Sequence, residues 1–236
     1  MTFTRESEPN RGVIMTAKIV TCFNQKGGCA KTTDTIQLAG TLGLRGLKVF
    51  VVDMDPQNTA ALWYHAADEV PFPAEVMSLA PMKEDFISKL DTLSKKYDVI
   101  IIDCPPALES RVPWASLLVS DFAIIPVVPV MDNIWASRQA EELVEEARKQ
   151  NPALQAAYLL SMMRRGKVFD QCLSILEEKA NLPILKSRIS MRNAFPESQI
   201  YGCVVSAFGE SRATEELDAL ASEVAGILGL KLKRSK

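Results

Sequence analysis

The chain has 236 residues, 47 % of them hydrophobic and 24 % charged, which is the composition of a globular protein rather than a disordered one. No apolar run reaches the ~18–20 residues of a membrane span, and no leader pattern opens the chain. The five cysteines stand at 22, 29, 104, 172 and 203, odd in number and without a C-x-x-C pair. Neither a disulfide framework nor a zinc knuckle is indicated, and the cytosol is the expected compartment. The single histidine, His65, excludes H-E-x-x-H metal sites and argues against a histidine-based triad.

Net charge is −2, but it is unevenly placed. From Ser161 onward there are 12 Lys and Arg against 9 Asp and Glu, whereas the first 160 residues carry 15 against 20. The basic excess gathers in Arg164, Arg165, Lys167, Lys186, Arg188 and Arg192, and again in Lys231, Lys233, Arg234 and Lys236. A solvated face and a frayed tail account for the last group. The first is equally open to a solvated face and to an anion-binding surface.

Residues 1–16 are polar and unpatterned and read as a flexible tail, within which Met15 is an alternative start. Short apolar runs follow at 19–23, 49–52, 99–102 and 122–130, with a weaker one at 157–160. They are continuous rather than alternating, as strands buried on both faces are. Amphipathic segments lie between and after them at 32–45, 83–95, 132–150, 167–180 and 212–229. Strand–helix–strand repetition without a linker or repeat predicts one α/β domain over 17–230, a doubly wound, mostly parallel sheet flanked by helices. Residues 231–236 are expected to form a basic tail.

The most informative stretch is Phe23-Asn24-Gln25-Lys26-Gly27-Gly28-Cys29-Ala30-Lys31-Thr32-Thr33, between the first strand and the first helix. Glycines let backbone N–H groups turn inward around phosphate oxygens, and a helix N-terminus adds the positive end of its dipole. Lys31 supplies charge for the β- and γ-phosphates, and the Thr32 hydroxyl suits Mg²⁺. The common G-x-x-x-x-G-K-[ST] pattern would place glycines where this chain has Gln25 and Ala30. A glycine turn entering a helix is the structural alternative, and it leaves Lys26 and Lys31 around Gly27-Gly28 unexplained.

Asn24-Gln25-Lys26-Gly27-Gly28-x-x-Lys31-Thr32-Thr33 resembles the deviant Walker A motif of the ParA/MinD family of P-loop ATPases, in its ParA branch. Val51-Val52-Asp53-Met54-Asp55-Pro56-Gln57 is similar to the family's D-x-D-P-Q, and Tyr97 to Pro106 to its Walker B segment. Leu185-Lys186-x-Arg188-Ile189, Gly202 and Ser211-x-Ala213 resemble its weaker C-terminal pattern. Ala30 departs from the glycine usual there.

The resemblance implies ATP and Mg²⁺ as cofactors and a nucleotide-sandwich homodimer in which Lys26 reaches the partner's phosphates. Residues 26–33 (Lys26, Gly27, Gly28, Cys29, Ala30, Lys31, Thr32 and Thr33) would bind nucleotide, and Met163 and Arg164 would contact adenine. Thr32, Asp55 and Asp103 would serve the metal, with Asp55 also positioning the attacking water. Asp55 has a second reading as a helix cap before Pro56. Cys104 lacks a companion at ligating spacing and reads as packing.

The family also implies weak intrinsic hydrolysis, stimulation by a ParB-like or other cargo-adaptor protein, and ATP-dependent binding to non-specific DNA. That would be cytoplasmic and nucleoid-associated, through Arg164, Arg165, Lys167, Lys186, Arg188, Arg192 and, less strongly, Arg212. About 17 residues precede the first strand, which suggests the short type without an operator-binding module. The alternatives are a MinD-like ATPase held on a membrane by residues 227–234, a metabolic P-loop ligase of similar fold, and a nucleotide-binding scaffold with negligible turnover. The short basic and apolar end lacks a large aromatic wedge, so a membrane partner is not expected.

Overall fold

The computed structural model describes residues 16–67, 71–106, 110–209 and 211–234. Seven strands form one sheet in the order β3-β2-β4-β1-β5-β6-β7, and every pair is parallel. In chain order they are β1 (Lys18–Cys22), β2 (Val49–Asp53), β3 (Glu75–Ser78), β4 (Val99–Asp103), β5 (Phe122–Val127), β6 (Gln155–Met163) and β7 (Ile184–Ser190).

The helices are α1 (Lys31–Leu44), α2 (Thr59–His65), α3 (Ile87–Ser94), α4 (Val112–Val119), α5 (Met131–Arg148), α6 (Lys167–Lys179), α7 (Ala194–Ile200) and α8 (Ser211–Leu228). Two 3₁₀ turns, at Ala80–Phe86 and Val205–Phe208, are the remaining helical elements among the described residues.

The continuous apolar runs are explained by what covers them. Along each strand successive side chains point to opposite faces. Val20, Val51, Ile101 and Ile124 enter a core closed by Ile36 and Leu42 of α1 and by Leu217, Leu220 and Val224 of α8. Ile19, Phe50, Ile100, Ile102 and Ile125 enter a second core, closed by Leu90 of α3, Leu117 of α4, Val144 of α5 and Leu176 of α6. With both faces dry, alternation between polar and apolar residues disappears.

The expected strands and the five longer helical segments are present. The run expected to reach Val130 ends as strand at Val127, before Pro129. Five elements arrive unannounced: β3, β7 and the short helices α2, α4 and α7. The β7 strand carries Lys186 and Arg188 on exposed positions, between buried Leu185, Ser187 and Ile189.

The expected N-terminal tail lies outside the described residues, except for Thr16, whose hydroxyl donates to the Ser94 carbonyl. The expected basic end behaves differently where it is described. Lys233 N donates to Arg45 O (2.9 Å), Arg45 Nε donates to Lys233 O (2.6 Å), and Leu230 and Leu232 pack on the first core. Residues 231–234 are thus docked rather than frayed, because alternate residues of Leu-Lys-Leu-Lys are apolar and find a partner on the α1–β2 turn.

The strand order reverses beside β1: from β1 the chain moves to β2 on one side, and from β4 it crosses to β5 on the other. A crevice opens at the carboxyl ends of strands at such a point. Cys22, Asp53 and Asp103 end their strands there, in register with one another.

Candidate nucleotide site and adjoining basic cleft

The loop between β1 and α1 is held from beneath. Asn24, 1 % exposed, donates from Nδ2 to Pro126 O (2.8 Å) and accepts from Lys26 N on Oδ1 (3.0 Å). This ties the loop to the end of β5. Lys26, Gly27 and Gly28 are exposed, whereas Cys29 is buried with its thiol on Lys26 O (3.1 Å). Gly28 and Ala30 both take left-handed backbone angles, φ 73° and 71°. For Ala30 that conformation costs about 1 kcal/mol, which the usual glycine would avoid. No side chain caps α1, so its first amides remain donors at the loop's mouth.

Lys31 is 7 % exposed, and its Nζ rests on Lys26 O at 2.9 Å. A buried ammonium held by a neutral carbonyl is positioned to exchange that acceptor for a phosphate oxygen. Thr32 and Thr33 follow, half-buried, in the first turn.

Asp103 is fully buried; its Oδ1 accepts from Thr35 Oγ1 (3.3 Å) and its Oδ2 has no partner. Burial pushes its carboxyl up to about 7, and nearby Asp53 adds to the rise, while the Thr32 and Thr35 hydroxyls and Lys31 oppose it. An orphaned carboxylate oxygen beside a threonine hydroxyl is a donor set for a hard cation, and Mg²⁺ fits it.

Asp53 has a different role. Its two oxygens accept from Asp55 N and Ala61 N, both at 3.0 Å, so it shapes the turn into α2. Asp55 is half-exposed and accepts from Gln57 N (2.9 Å) in a local turn. It does not cap a helix, since α2 begins at Thr59 behind Asn58.

A cleft of about 370 Å³ runs from this loop to the β7–α7 connection. Gly28, Ala30 and Thr33 form its loop side, Met162, Met191, Phe195 and Pro196 supply apolar walls, and Asn193 and Gln199 are polar. The size and the apolar walls with a few polar groups suit a purine base. Asp34 lies at its margin, buried, accepting from Ser161 Oγ. Burial pushes the Asp34 carboxyl up to about 8.

Met163 and Arg164, expected at adenine, border the neighbouring cleft instead, and Met162 faces the loop. The chain turns at Met162, with φ 52°, which shifts the facing side chain by one residue. Sequence reasoning also missed Phe195, Pro196 and Asn193, which no nearby motif marks.

That neighbouring cleft is larger, about 1330 Å³, and basic. Arg164, Arg165, Lys186, Arg188, Arg192 and Arg212 all line it, with Asp170, Glu215 and Glu216 among them. Lys167, at the start of α6, does not line it. Among these cations Arg188 pairs with Glu177 (3.8 Å), Arg192 pairs with Glu216 (3.4 Å), and Arg164 Nε donates to Met191 Sδ (2.8 Å). Ser190, Met191, Arg192 and Asn193 line both clefts, so one loop is a wall of each. Among the described residues no cluster of three or more His, Cys, Asp and Glu gathers to hold a metal, and no helix is long and apolar enough to cross a membrane.

A parallel sheet with a phosphate-type loop after its first strand, and carboxylates ending two neighbouring strands, defines a P-loop nucleotide-binding protein. The family model described as the CobQ/CobB/MinD/ParA nucleotide binding domain matches residues 20–205, and the chain belongs to this family, as a ParA/MinD-type P-loop ATPase. The maintenance of carboxysome distribution protein A of Halothiobacillus neapolitanus is 30 % identical over 203 residues, 85 % of this chain and 93 % of that protein. The chromosome-partitioning ATPase Soj of Thermus thermophilus is 28 % identical over 171 residues, covering 61 % and 68 %.

Among solved structures, the cell division ATPase MinD of Pyrococcus furiosus superimposes with a TM-score of 0.74 at 21 % identity, covering 89 % of this chain and 99 % of that one. An ATP complex of a Cyanothece McdA variant gives 0.73 at 17 % identity, covering 93 % and 99 %. These two likenesses bear on the fold.

Proposed function

We propose that this chain is a ParA-type positioning ATPase, which dimerises on ATP, binds DNA without sequence preference and moves or spaces a cargo. The observation that carries the reading is the shared wall: residues 190–193 border both a purine-sized cleft at the phosphate loop and an open cleft lined by six of the seven basic residues expected to meet DNA. The relatives point the same way, one named for carboxysome distribution and another for chromosome partitioning.

Its cofactors are ATP and Mg²⁺. Lys31 leaves the Lys26 carbonyl for phosphate oxygens, and the amides of residues 28–33 donate to them. Thr32 and Asp103 hold the cation, Asp103 through the oxygen that otherwise lacks a partner. When bound, Mg²⁺ neutralises charge on the phosphoryl oxygens. Asp55, half-exposed at the end of β2, orients water.

Lys26 is exposed on the outer side of the loop and serves the nucleotide of a second copy. Placing that cation in trans leaves a lone protomer slow and makes turnover depend on dimerisation and on a partner protein. DNA is held by phosphate contacts from the basic cleft, in the cytoplasm on the nucleoid. The reading of a membrane-held ATPase is less well supported, because Leu230 and Leu232 are already packed on the core.

The test is retention of a random-sequence duplex with ATP, with ADP and without nucleotide, for the wild type and Lys26→Ala. Binding with ATP alone, lost in Lys26→Ala, is expected. Equal binding in all three states would remove the nucleotide-switched reading.

A further inference from the structure

Glu216 lines the basic cleft and bonds to the loop that the two clefts share. It lies on α8 and projects to the end of β7, where its Oε2 accepts from Ser190 N (2.8 Å) and its Oε1 from Ser190 Oγ (2.7 Å). The same Oε1 is 3.4 Å from Arg192 Nη2, with both side chains less than a quarter exposed. One carboxylate therefore spans two residues of the loop that borders both clefts, and it neutralises one of the arginines of the basic cleft.

The clamp differs from its neighbour on the same helix. Glu223 accepts from Lys186 N and Ser187 N, both at 2.8 Å, and so covers the open edge of β7 nearer the start of that strand. Glu223 also meets the Ser187 hydroxyl and the Lys186 charge, but neither residue belongs to the loop that the two clefts share. At Glu216 the same kinds of contact, to the Ser190 hydroxyl and to Arg192, fall on that shared loop.

We propose that Glu216 is a positioning residue that holds the Ser190–Asn193 loop in shape for the nucleotide cleft and restrains Arg192 from phosphate in the basic cleft. The second half rests on the DNA reading above; the first does not. A phosphate that recruits Arg192 has to displace Glu216 from it, and this loosens the loop on which the purine cleft depends. Ligands of the two clefts are then linked through one carboxylate, antagonistically and reciprocally within a single protomer, while the ATP dependence of DNA binding comes from dimerisation. The charge also lowers the strength of the basic cleft, so that release is possible.

Two substitutions separate the parts. In Glu216→Gln the amide oxygen still accepts from Ser190 N, while the charge that Glu216 presents to Arg192 is gone. In Glu216→Ala both are gone. The first measurement is the affinity of a fluorescent ATP analogue with Mg²⁺, with thermal melting to verify that each variant folds. Glu216→Ala is expected to bind the analogue about tenfold more weakly, and Glu216→Gln to restore most of that loss.

The second measurement is binding of a random-sequence duplex with ATP across a salt series. Glu216→Gln is expected to bind about threefold to tenfold more tightly at low salt. Its log–log salt slope should be steeper by about one, the signature of one more phosphate neutralised. Unchanged nucleotide affinity in Glu216→Ala would overturn the loop clamp, and an unchanged salt slope in Glu216→Gln the restraint of Arg192. If no form binds the duplex, the DNA reading fails and takes the restraint with it. The nucleotide measurement then still decides the clamp.

Discussion

Asp53 and Asp103 end adjacent strands as a register pair, yet the fold satisfies one and leaves the other incomplete. Both oxygens of Asp53 accept backbone amides that shape the turn into α2. Asp103, buried between Cys22 and Asp53 in the sheet register, keeps one oxygen without a partner. A fold tolerates an unpaired buried carboxylate where something else completes it, and the strand end beside Thr32 is such a place.

Replacing Asp103 by Asn separates stability from binding. With the ionised group gone, the nucleotide-free protein should be stabilised by about 1–2 kcal/mol at pH 8, a rise in Tm of roughly 2–8 °C for a chain of this size. Mg²⁺-dependent nucleotide affinity should fall at the same time. Thermal melting with and without Mg-ATP reads both, and a destabilised nucleotide-free variant would contradict the assignment.

Asp34 gives a pH dependence whose sign is fixed by its burial. Its carboxyl is raised from 3.8 to about 8 in the folded chain. Between those values the folded state holds a proton that the unfolded state has lost. Stability is therefore greatest below about pH 4 as far as this group is concerned, declines as pH rises, and has lost the whole contribution above about pH 8. The slope per such group reaches about 1.4 kcal/mol per pH unit. Asp34→Asn should flatten the denaturant-derived stability between pH 5 and 8 relative to wild type, and parallel curves would show that the group titrates normally.

Gln37 ties the phosphate-loop helix to the element opposite. Its Nε2 donates to Ser198 Oγ (2.9 Å) on α7, and its Oε1 accepts from Val205 N (3.0 Å). Gln37→Leu keeps the volume but leaves the Val205 amide buried without its bond and Ser198 Oγ with only its bond to Phe195 O (2.7 Å), a loss of about 2–3 kcal/mol. Because α7 carries Phe195 and Pro196 of the purine cleft, nucleotide affinity should fall alongside a Tm drop of roughly 5–10 °C. Restored affinity in Gln37→Glu at low pH would support the hydrogen bonds as the cause.

How far such relationships are legible depends on how local they are. Strands β1, β2, β4 and β5 announce themselves because continuous apolar runs have few other uses. Edge strand β7 does not, since Lys186 and Arg188 give it the pattern of a surface segment. Helix α4 is hidden behind Pro113 and the prolines before it. At the site, Lys26 to Thr33 and Asp103 are readable because each motif is contiguous and adjoins a strand end. The Gln37–Ser198 and Asp34–Ser161 pairs bridge 161 and 127 residues, and only the folded sheet brings them together. The choice between Met162 and Met163 turns on one backbone angle. The basic residues are visible in the sequence, but Glu177 and Glu216, which engage two of them, are not.

Ala30 offers a test of strain in the loop. Left-handed backbone costs alanine about 1–2 kcal/mol, and glycine loses part of that advantage through its freer unfolded chain. Ala30→Gly should therefore gain about 0.5 kcal/mol, and Ala30→Val should lose more than about 1 kcal/mol, since a β-branched residue tolerates this region least. Equal melting temperatures for all three would mean that the loop relaxes out of this conformation.

The basic cleft calls for a choice among its cations. Arg192 is a poor first target, because its loss also disturbs Glu216 and the shared loop. Arg165 is exposed, lines the cleft and is outside that clamp, Arg212 is exposed one turn before Glu216 on α8, and Arg188 has an exposed partner in Glu177. Replacing Arg165, Arg188 and Arg212 by Ala should lower the log–log salt slope of duplex binding by about 0.9 for each phosphate that is no longer neutralised. The weakening should be similar for unrelated sequences, since phosphate contacts carry no base information. Affinity for Mg-ATP should stay within about twofold, because none of the three lines the purine cleft. A salt slope equal to that of the wild type would mean that DNA, if bound, is held on another face.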